Sequence, residues 1–547
     1  MRIIIMACFY HCHYYQRQRA LLLQLFRAVL LLQLLASPAR CFGDSDADYY
    51  HYSRVFFRVD VVDDETGIGV PLVLLRTNNY LEYFSDSAGR VAFFEPGMMN
   101  TSVWFSVLAD GYELNVRKTK GAYSYNAPYD SGFVVNTRVG AGPAIVYMTR
   151  KQHAERVYRL TGGGLYRDSV LTGAPIPETV ADRALIDPLS GSTGQDTLHL
   201  VNLNATHVMY FFGDTVCPRS ARQNNCNAKG MYTVAAVSDL GNDSRAEYQP
   251  SQPPRLKYIA DSNHDAPHPI APIAPLSQNT WIAGVFMGID DGDAASGRDN
   301  YSSDVLFAAY FKNPGDGASP GQAKQGMAIW NASARQMEAL GSPWPRNASL
   351  SLSGAHAVQV ISPADAAKGF EAYAWFVNGY VTSRVLAKAS AVARYERFEH
   401  LPMPAMPTVS CNTVNWNAWA KRYLCLGDNR IDDGGIFLFG GPVPITIAWS
   451  HDLLGPYVNA TEIIAHNASG ASCYNGLHMP HMDMEGGRVV HVACTYTAMW
   501  SNTDKDPNLW SSCLFGINSH QGCSPVVPRY EYNNIVSRID LQNIIMF

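Results

Sequence analysis

Residues 194–215 read Gly194-Gln195-Asp196-Thr197-Leu198-His199-Leu200-Val201-Asn202-Leu203-Asn204-Ala205-Thr206-His207-Val208-Met209-Tyr210-Phe211-Phe212-Gly213-Asp214-Thr215. Two runs of apolar and aromatic residues flank the short polar turn Asn204-Ala205-Thr206, the pattern of a β-hairpin. Similar segments follow at 231–237, 281–287, 305–311, 325–330, 357–361, 372–377, 381–386, 436–439, 445–449, 489–495 and 534–541. No long helical period interrupts them, which excludes an α-rich fold. A dozen or more short strands in clusters of roughly 60–80 residues predict an all-β fold, a roughly five-bladed β-propeller over residues 155–547.

Working back towards the N-terminus, Val55–Val62 is strand-like, the turn Asp63-Asp64-Glu65-Thr66-Gly67 follows, and Val70–Leu75 is a second strand. Tyr80–Phe84, the turn Asp86-Ser87-Ala88-Gly89, Arg90–Phe94 and Val103–Leu108 continue the series to Asp110-Gly111-Tyr112-Glu113. Strands at this spacing predict a small N-terminal β-sandwich over 54–118, with 119–154 as a linker. Residues 1–43 read as a signal peptide: Arg17 and Arg19 precede the apolar stretch Leu21–Leu35, and Ala36-Ser37-Pro38-Ala39 supplies small residues for cleavage. The expectation is a secreted, extracellular protein, or one held at the cell surface if this segment stays as an uncleaved anchor.

Composition narrows the classes further. Of 547 residues, 47% are hydrophobic and only 16% charged, which rules out a disordered chain and a coiled coil. The formal net charge is −5 and no Lys/Arg run stands out, so nucleic acid is excluded as an expected partner. No phosphate loop, Gly-x-Ser-x-Gly elbow or His-Glu-x-x-His occurs, which removes the motif support for a nucleotide cofactor, a serine hydrolase or a zinc protease. Eight cysteines follow the leader region, and their grouping suggests local bridges 217–226, 411–425, 473–494 and 513–523, although eight cysteines allow about a hundred connectivities. No Cys-x-x-Cys pair supports zinc. Eight N-glycosylation sequons, at Asn100, Asn204, Asn242, Asn300, Asn331, Asn347, Asn459 and Asn467, agree with a secreted glycoprotein.

The hairpin is symmetric about Ala205, so Asp196 and Asp214 stand opposite each other at its open end. Opposed residues of antiparallel strands have Cα atoms about 4.5–5.5 Å apart. Two carboxylates held that close do not ionise independently, and the separation of their pKa values is what acid/base or nucleophile/acid chemistry uses. The same residues equally suit capping of strand ends, and spacing alone leaves both readings open.

The order Val-Asp-x-x-Thr-Gly (62–67), Asp86-Ser87-x-Gly89-x-Val91 and Asp110-Gly111-Tyr112-Glu113 resembles the transthyretin-like, or carboxypeptidase-regulatory-like, accessory β-sandwich. The Gly-x-Asp strand, short turn and aromatic strand ending in Gly213-Asp214-Thr215 resembles the opening blade of propeller glycoside hydrolases, endo-D-arabinanases in particular. That resemblance implies catalysis by Asp196 and Asp214. Ala448-Trp449-Ser450-His451-Asp452-Leu453-Leu454-Gly455-Pro456-Tyr457 resembles a structural hairpin of arabinanase and invertase-like propellers. Gly164–Leu171, Cys473–Asp483 and Pro528–Asn533 resemble a largely uncharacterised family of secreted propeller proteins. One departure stands out: Ala493 occupies the strand before Thr495-Tyr496-Thr497, where related hydrolases tend to carry a Glu.

The resulting expectation is a glycoside hydrolase acting on a furanoside-containing polysaccharide, with Asp196 and Asp214 catalytic. Arg167, Asp168, Gln195, His478, His481, Tyr496 and Arg529 are the candidate substrate-binding residues, and Trp281, Trp416, Trp449 and Trp500 are candidates for stacking on sugar rings. No cofactor is expected, with a structural calcium at His478/His481/Asp483 as the alternative; Asp290-Asp291-Gly292-Asp293 has the look of a calcium loop but no Glu stands at the twelfth position, so it is read as a solvated turn. The partner is a polysaccharide or glycan, and nothing in the sequence speaks to oligomeric state. Two other readings stand beside this one: a non-catalytic carbohydrate-binding or cell-surface propeller, and a polysaccharide lyase that would use Tyr496, His478 and Arg529.

Overall fold

A computed structural model describes residues 56–124, 131–138, 142–160, 195–215, 233–239, 256–259, 270, 280–290, 302–312, 324–341, 355–358, 360, 362–367, 373–376, 380–382, 400–402, 411–428, 444–453, 455–465, 472–497 and 532–545. The chain is nearly all β, and Pro363–Ala367 is the one α-helix among the described residues. The strands form seven sheets, with short 3-10 turns such as Pro96–Met98 and Pro480–Met482 beside them.

Two sheets form the N-terminal unit. They are built from β1 (Phe57–Asp63), β2 (Leu74–Thr77), β3 (Glu82–Phe84), β4 (Arg90–Phe93), β5 (Ser102–Leu108), β6 (Tyr112–Leu114), β7 (Ala122–Tyr123), β8 (Gly132–Asn136) and β9 (Ala144–Arg150). Their orders are β4-β1-β9-β6 and β3-β2-β5-β8-β7. Side chains alternate across a strand, and β1 follows the rule: Phe57, Val59 and Val61 are buried, while Arg58 and Asp60 pair on the outer side at 2.6 Å. β5 turns Val103, Phe105 and Val107 inward, and both inward sets meet in one core with Phe133, Val146 and Met148.

Within 119–154, expected as a linker, the described strands instead belong to this unit. They are β7, β8 and β9, and β9 lies between β1 and β6, parallel to β1 from Val59↔Ala144 to Asp63↔Met148. The physical reason is the alternation in Ala144–Arg150, which buries Val146 and Met148 against the same core as Val59 and Val61.

The remaining strands form five four-stranded antiparallel sheets. One holds β11 (Leu198–Asn202), β12 (His207–Phe212), β13 (Val234–Asp239) and β14 (Lys257–Tyr258). The next holds β15 (Thr280–Asp290), β16 (Ser302–Lys312), β17 (Lys324–Asn331) and β18 (Gln336–Gly341). Then come β19 (Ala355–Val358), β20 (Tyr373–Phe376), β21 (Tyr380–Thr382) and β22 (His400–Pro402), followed by β23 (Thr413–Asn417), β24 (Arg422–Asp428), β25 (Ile445–Ser450) and β26 (Val458–Ile464). The fifth sheet is composite: β10 (Glu155–Arg159) pairs with β29 (Tyr532–Asp540), which continues to β28 (Val489–Thr497) and β27 (Ser472–His478). The expected segment 436–439 lies outside the described residues.

β11 contacts β15, β15 contacts β19, β19 contacts β23, β23 contacts β27, and β27 returns to β11. Each sheet thus has a neighbour on either side through these strands, and some strands are buried continuously, as Ile445–Ser450 is. Period-two alternation sorts the two faces of β12 into two cores: Val208, Tyr210 and Phe212 pack towards the composite sheet, and Met209 and Phe211 towards β15 and β16. Burying one such aromatic contributes about 1.5–3 kcal/mol. Disulfides Cys411–Cys425 and Cys473–Cys494 are present as two of the local bridges expected from the spacing, while 217–226 and 513–523 lie outside the described residues.

Arg156 on β10 docks the N-terminal unit onto the composite sheet. Its guanidinium sits 5.6 Å from the ring centres of both Tyr112 and Tyr496 and donates to the carbonyl of Pro71 at 3.0 Å and to that of Asp110. Tyr496 Oη in turn donates to the Asp110 carboxylate at 2.8 Å. A planar fork stacked between two rings is not replaced by a lysine ammonium. Arg156→Lys is expected to destabilise by about 1–3 kcal/mol and to split calorimetric unfolding into separate transitions for the two parts of the molecule; a single transition at the wild-type temperature would contradict this account.

Candidate active site

The ladder of β11 and β12 runs from Leu198↔Phe212 to Asn202↔Val208, and the isolated bridge Gln195↔Thr215 keeps the same register. Asp196 is thereby set opposite Asp214. Its backbone N–H donates to the Asp214 carbonyl at 3.1 Å, and its own carbonyl accepts from Gly213 N at 2.9 Å. The Asp196 carboxylate folds back over this turn, where Oδ1 accepts from Asp214 N at 2.5 Å. Gly213 makes room for it, since a Cβ there would stand 2.4 Å from Asp196 Oδ1.

Two further strands reach the pair. Tyr474 on β27 donates its hydroxyl to Asp196 Oδ2 at 3.0 Å, and Trp281 on β15 donates Nε1–H to Asp214 Oδ1 at 2.6 Å. Asp196, Thr197, Asp214, Trp281, Tyr474 and Asn475 are all half-buried, so the cluster faces solvent on one side. Thr197 holds a left-handed backbone at φ +40°, a conformation that a β-branched residue keeps only when its surroundings enforce it. Thr495 Oγ1 accepts its N–H and Asn475 Nδ2 donates to its hydroxyl, each at 2.9 Å.

Burial, reinforced by the neighbouring Asp196 charge, holds the Asp214 carboxyl well above the usual carboxylate range, against the opposing effect of the Trp281 N–H. The arrangement is chemically asymmetric. One carboxyl is biased towards its protonated form, and the other carries two donors, one backbone and one phenolic.

Gln195 is fully buried behind the pair. Its Oε1 accepts from Tyr258 at 2.6 Å, its Nε2 donates to Thr215 Oγ1 at 3.2 Å, and its carbonyl accepts from Asn534 at 3.4 Å. His478 lies four residues beyond Tyr474 on β27, and an unbroken strand would carry it about 13 Å away. It pairs with Asp483 at 3.0 Å, and burial raises the Asp483 carboxyl. His481 turns instead to Tyr210 Oη at 2.9 Å, so the two imidazoles serve different partners. Among the described residues, no group of three His, Cys, Asp or Glu side chains is placed to hold a metal ion. Tyr496 lies opposite Cys473 and His478 opposite Val492, four positions apart on β28, so those two are not brought together. Ala493 is fully buried in the core between the composite sheet and β11–β14. Arg167, Asp168, Arg529, Trp500 and the segment 291–293 lie outside the described residues.

Of the tryptophans, Trp281 is at the site, held through its indole nitrogen. Trp416 packs edge-on against Tyr423 at 5.1 Å, and Trp449 is core. Tyr474, Asn475 and Thr495 are site residues that the sequence reading did not select; Tyr474 and Asn475 sit inside the noted segment Cys473–Asp483, but only the return of β27 to β11 brings them to Asp196.

No protein-family model matches the chain, and no curated protein matches it. Among solved structures it is similar to an α-L-arabinofuranosidase from Lactobacillus brevis, at 9% identity over 66% of this chain and 94% of that one, with a TM-score of 0.30. It is also similar to a family 117 glycoside hydrolase from the marine bacterium Zobellia galactanivorans, at 11% identity over 64% and 85%, TM-score 0.29. An exo-1,5-α-L-arabinanase from a bovine ruminal metagenomic library aligns at 11% identity over 56% and 89%, TM-score 0.28. Likenesses of this extent carry no conclusion about activity, which rests on the residues above.

The Asp214 carboxyl is raised on folding, so between the unfolded value near 4 and the folded value the native state holds the extra proton. Stability contributed by this group is therefore full at low pH and falls as pH rises through that window. One proton sets an upper limit of about 1.4 kcal/mol per pH unit, lessened by solvent on the open side. Asp86 and Asp483 are raised in the same direction, so the comparison to make is wild type against Asp214→Asn. The variant is expected to lose less stability in denaturant titrations between pH 4 and 8; parallel pH dependences would contradict the assignment. A second expectation concerns space: Gly213→Ala displaces the Asp196 carboxylate and lowers activity at least tenfold, with a melting temperature within a few degrees of wild type.

Proposed function

We propose that this protein is a secreted glycoside hydrolase that cleaves a furanoside-containing polysaccharide at Asp196 and Asp214. The observation that carries the reading is the opposed pair itself: two half-buried aspartates facing each other between the Leu198↔Phe212 ladder pair and the Gln195↔Thr215 bridge, with Asp214 held towards its protonated form by burial and by Asp196. Asp214 is assigned as the general acid that protonates the leaving oxygen, and Asp196 as the nucleophile. The separation of the two carboxyl groups decides the stereochemical outcome, about 5–5.5 Å in retaining glycosidases and roughly 6.5–9.5 Å in inverting ones.

In this reading the five sheets over residues 155–547 are the blades of a five-bladed propeller, closed by β10 in the last blade. The N-terminal unit is a transthyretin-like β-sandwich. Residues 1–43 are a signal peptide that directs the chain out of the cell, where its sequons are glycosylated and its disulfides persist. Gln195 positions the turn that carries Asp196, and Arg167, Asp168 and Arg529 are assigned to substrate binding, while buried His478 and His481 are held by Asp483 and Tyr210. Tyr496 is assigned to domain docking instead of sugar binding, since its hydroxyl is spent on Asp110.

The test is product release from arabinans, arabinogalactans and uronate-containing polysaccharides by secreted wild type, Asp196→Asn and Asp214→Asn. Cleavage of a furanoside polymer by wild type is expected, with loss of about 10²–10⁴-fold in the Asp214 variant and at least as much in the Asp196 variant. Glycan binding without cleavage would instead establish a non-catalytic carbohydrate-binding propeller. Unsaturated-uronate product formed equally by all three proteins would establish a lyase.

A further inference from the structure

We infer that Trp281 and Tyr474 are positioning residues that divide the single site proton between the two carboxyls, each acting on one aspartate from a different sheet. The inference rests on the hydrolase reading of the pair but concerns a property that can be measured without turnover. Three observations support it.

The donors are neutral and split between the partners. Trp281 Nε1 gives its only proton to Asp214 Oδ1 at 2.6 Å, and Tyr474 Oη gives its only proton to Asp196 Oδ2 at 3.0 Å. An N–H or O–H aimed at a carboxylate oxygen favours the ionised form of that group. Each residue therefore pulls the proton away from the aspartate it touches, and because the two carboxyls repel when both are charged, towards the other one.

The donors also enter from opposite sides. Trp281 is the second residue of β15 and Tyr474 lies on β27, the two strands that flank β11 in the contact ring. Among the described residues, Asp196 is the charged neighbour acting on Asp214, and Tyr474 donates its phenol to Asp196. His199 on β11 is fully buried with its pKa lowered to about 4 by burial, so it is neutral over the working range and adds no charge.

The backbone fixes which oxygen each donor meets. Asp196 Oδ1 is already occupied by Asp214 N at 2.5 Å, leaving Oδ2 to Tyr474. With Trp281 on Asp214 Oδ1, the second oxygen of Asp214 is the one that can hold the transferable proton. The step then balances: that proton moves to the leaving glycosidic oxygen as the C–O bond breaks, while Asp196 forms the new bond to the anomeric carbon. Water later breaks that bond and returns a proton to Asp214.

The opposed arrangement makes a prediction that a merely structural role would not. In protein labelled with ¹³C at the aspartate carboxyl, with the Asp214 resonance assigned through Asp214→Asn, Trp281→Phe raises the Asp214 titration midpoint by about one pH unit. Tyr474→Phe moves it the other way, because Asp196 then competes better for the proton. Trp281→Gln, which retains an N–H donor, returns the midpoint towards wild type. In turnover assays the same two variants shift the acidic-to-basic limbs of kcat in opposite directions while KM changes little. Shifts of the same sign in both variants, or no shift in proteins with wild-type circular dichroism, would overturn the inference. If wild type cleaves no glycan yet the midpoints move apart, the hydrolase reading fails and the division of the proton stands.

Discussion

The pairing of β10 with β29 is the constraint on which the arrangement depends. Glu155↔Arg538 and Arg159↔Ile535 join the first strand of the five-sheet region to the last strand of the chain. Only with that closure does β27, two strands further in, come beside β11 so that Tyr474 can reach Asp196. The loop entropy of joining such distant segments grows only logarithmically with length, so a short ladder suffices if both faces are buried. They are: Val157 and Tyr158 enter the core shared with β11–β14, and Glu155 is tied to Arg538 at 2.5 Å.

Behind this closure, the local chemistry of the hairpin runs against ordinary folding preference. A threonine sits at positive φ, a carboxyl is held against a second carboxyl, and a glycine is required only because a side-chain oxygen occupies the space of its Cβ. Each feature costs stability on its own, the strained backbone about 1–3 kcal/mol. None is needed to make a hairpin, because Leu198–Asn202 and His207–Phe212 pair well without them. Departures from local consistency that gather at one solvent-facing point are the pattern of a site and not of a core.

The all-β character and the Asp196/Asp214 register were legible in the sequence because both depend on period-two alternation and a symmetric turn, which are local. The two described disulfides were legible for a related reason: Cys425 pairs on β24 opposite Val414, close to Cys411 in the same hairpin, and Cys473 and Cys494 lie on adjacent strands. What was not legible is non-local. Ala144–Arg150 reads as a strand only once β1 is available as its parallel partner, so 119–154 looked like a connection. Glu155–Arg159 is short and carries three charges, and its burial becomes favourable only against Arg538, Tyr112 and Tyr496. Tyr474 and Asn475 were visible as part of a noted segment, but their contact with Asp196 and Thr197 crosses 278 positions of sequence.

Tyr496 shows how the same residue types can be read two ways until neighbours are known. A tyrosine near histidines in the last sheet suits proton abstraction from a uronate, and its sequence context gives no reason to prefer another role. In the fold its ring covers the Arg156 guanidinium, its hydroxyl meets Asp110, and it packs with Leu72 and Ile535 in a small core between the two parts of the molecule. A phenol committed in this way has no free proton-transfer geometry, while the charge it stacks on is buried and satisfied by backbone carbonyls. The N-terminal unit thus grips β10, β28 and β29, the strands that close the ring and set the position of β27. The accessory unit and the aspartate pair are linked mechanically through that sheet, which gives the N-terminal unit a role as a brace even without a ligand of its own.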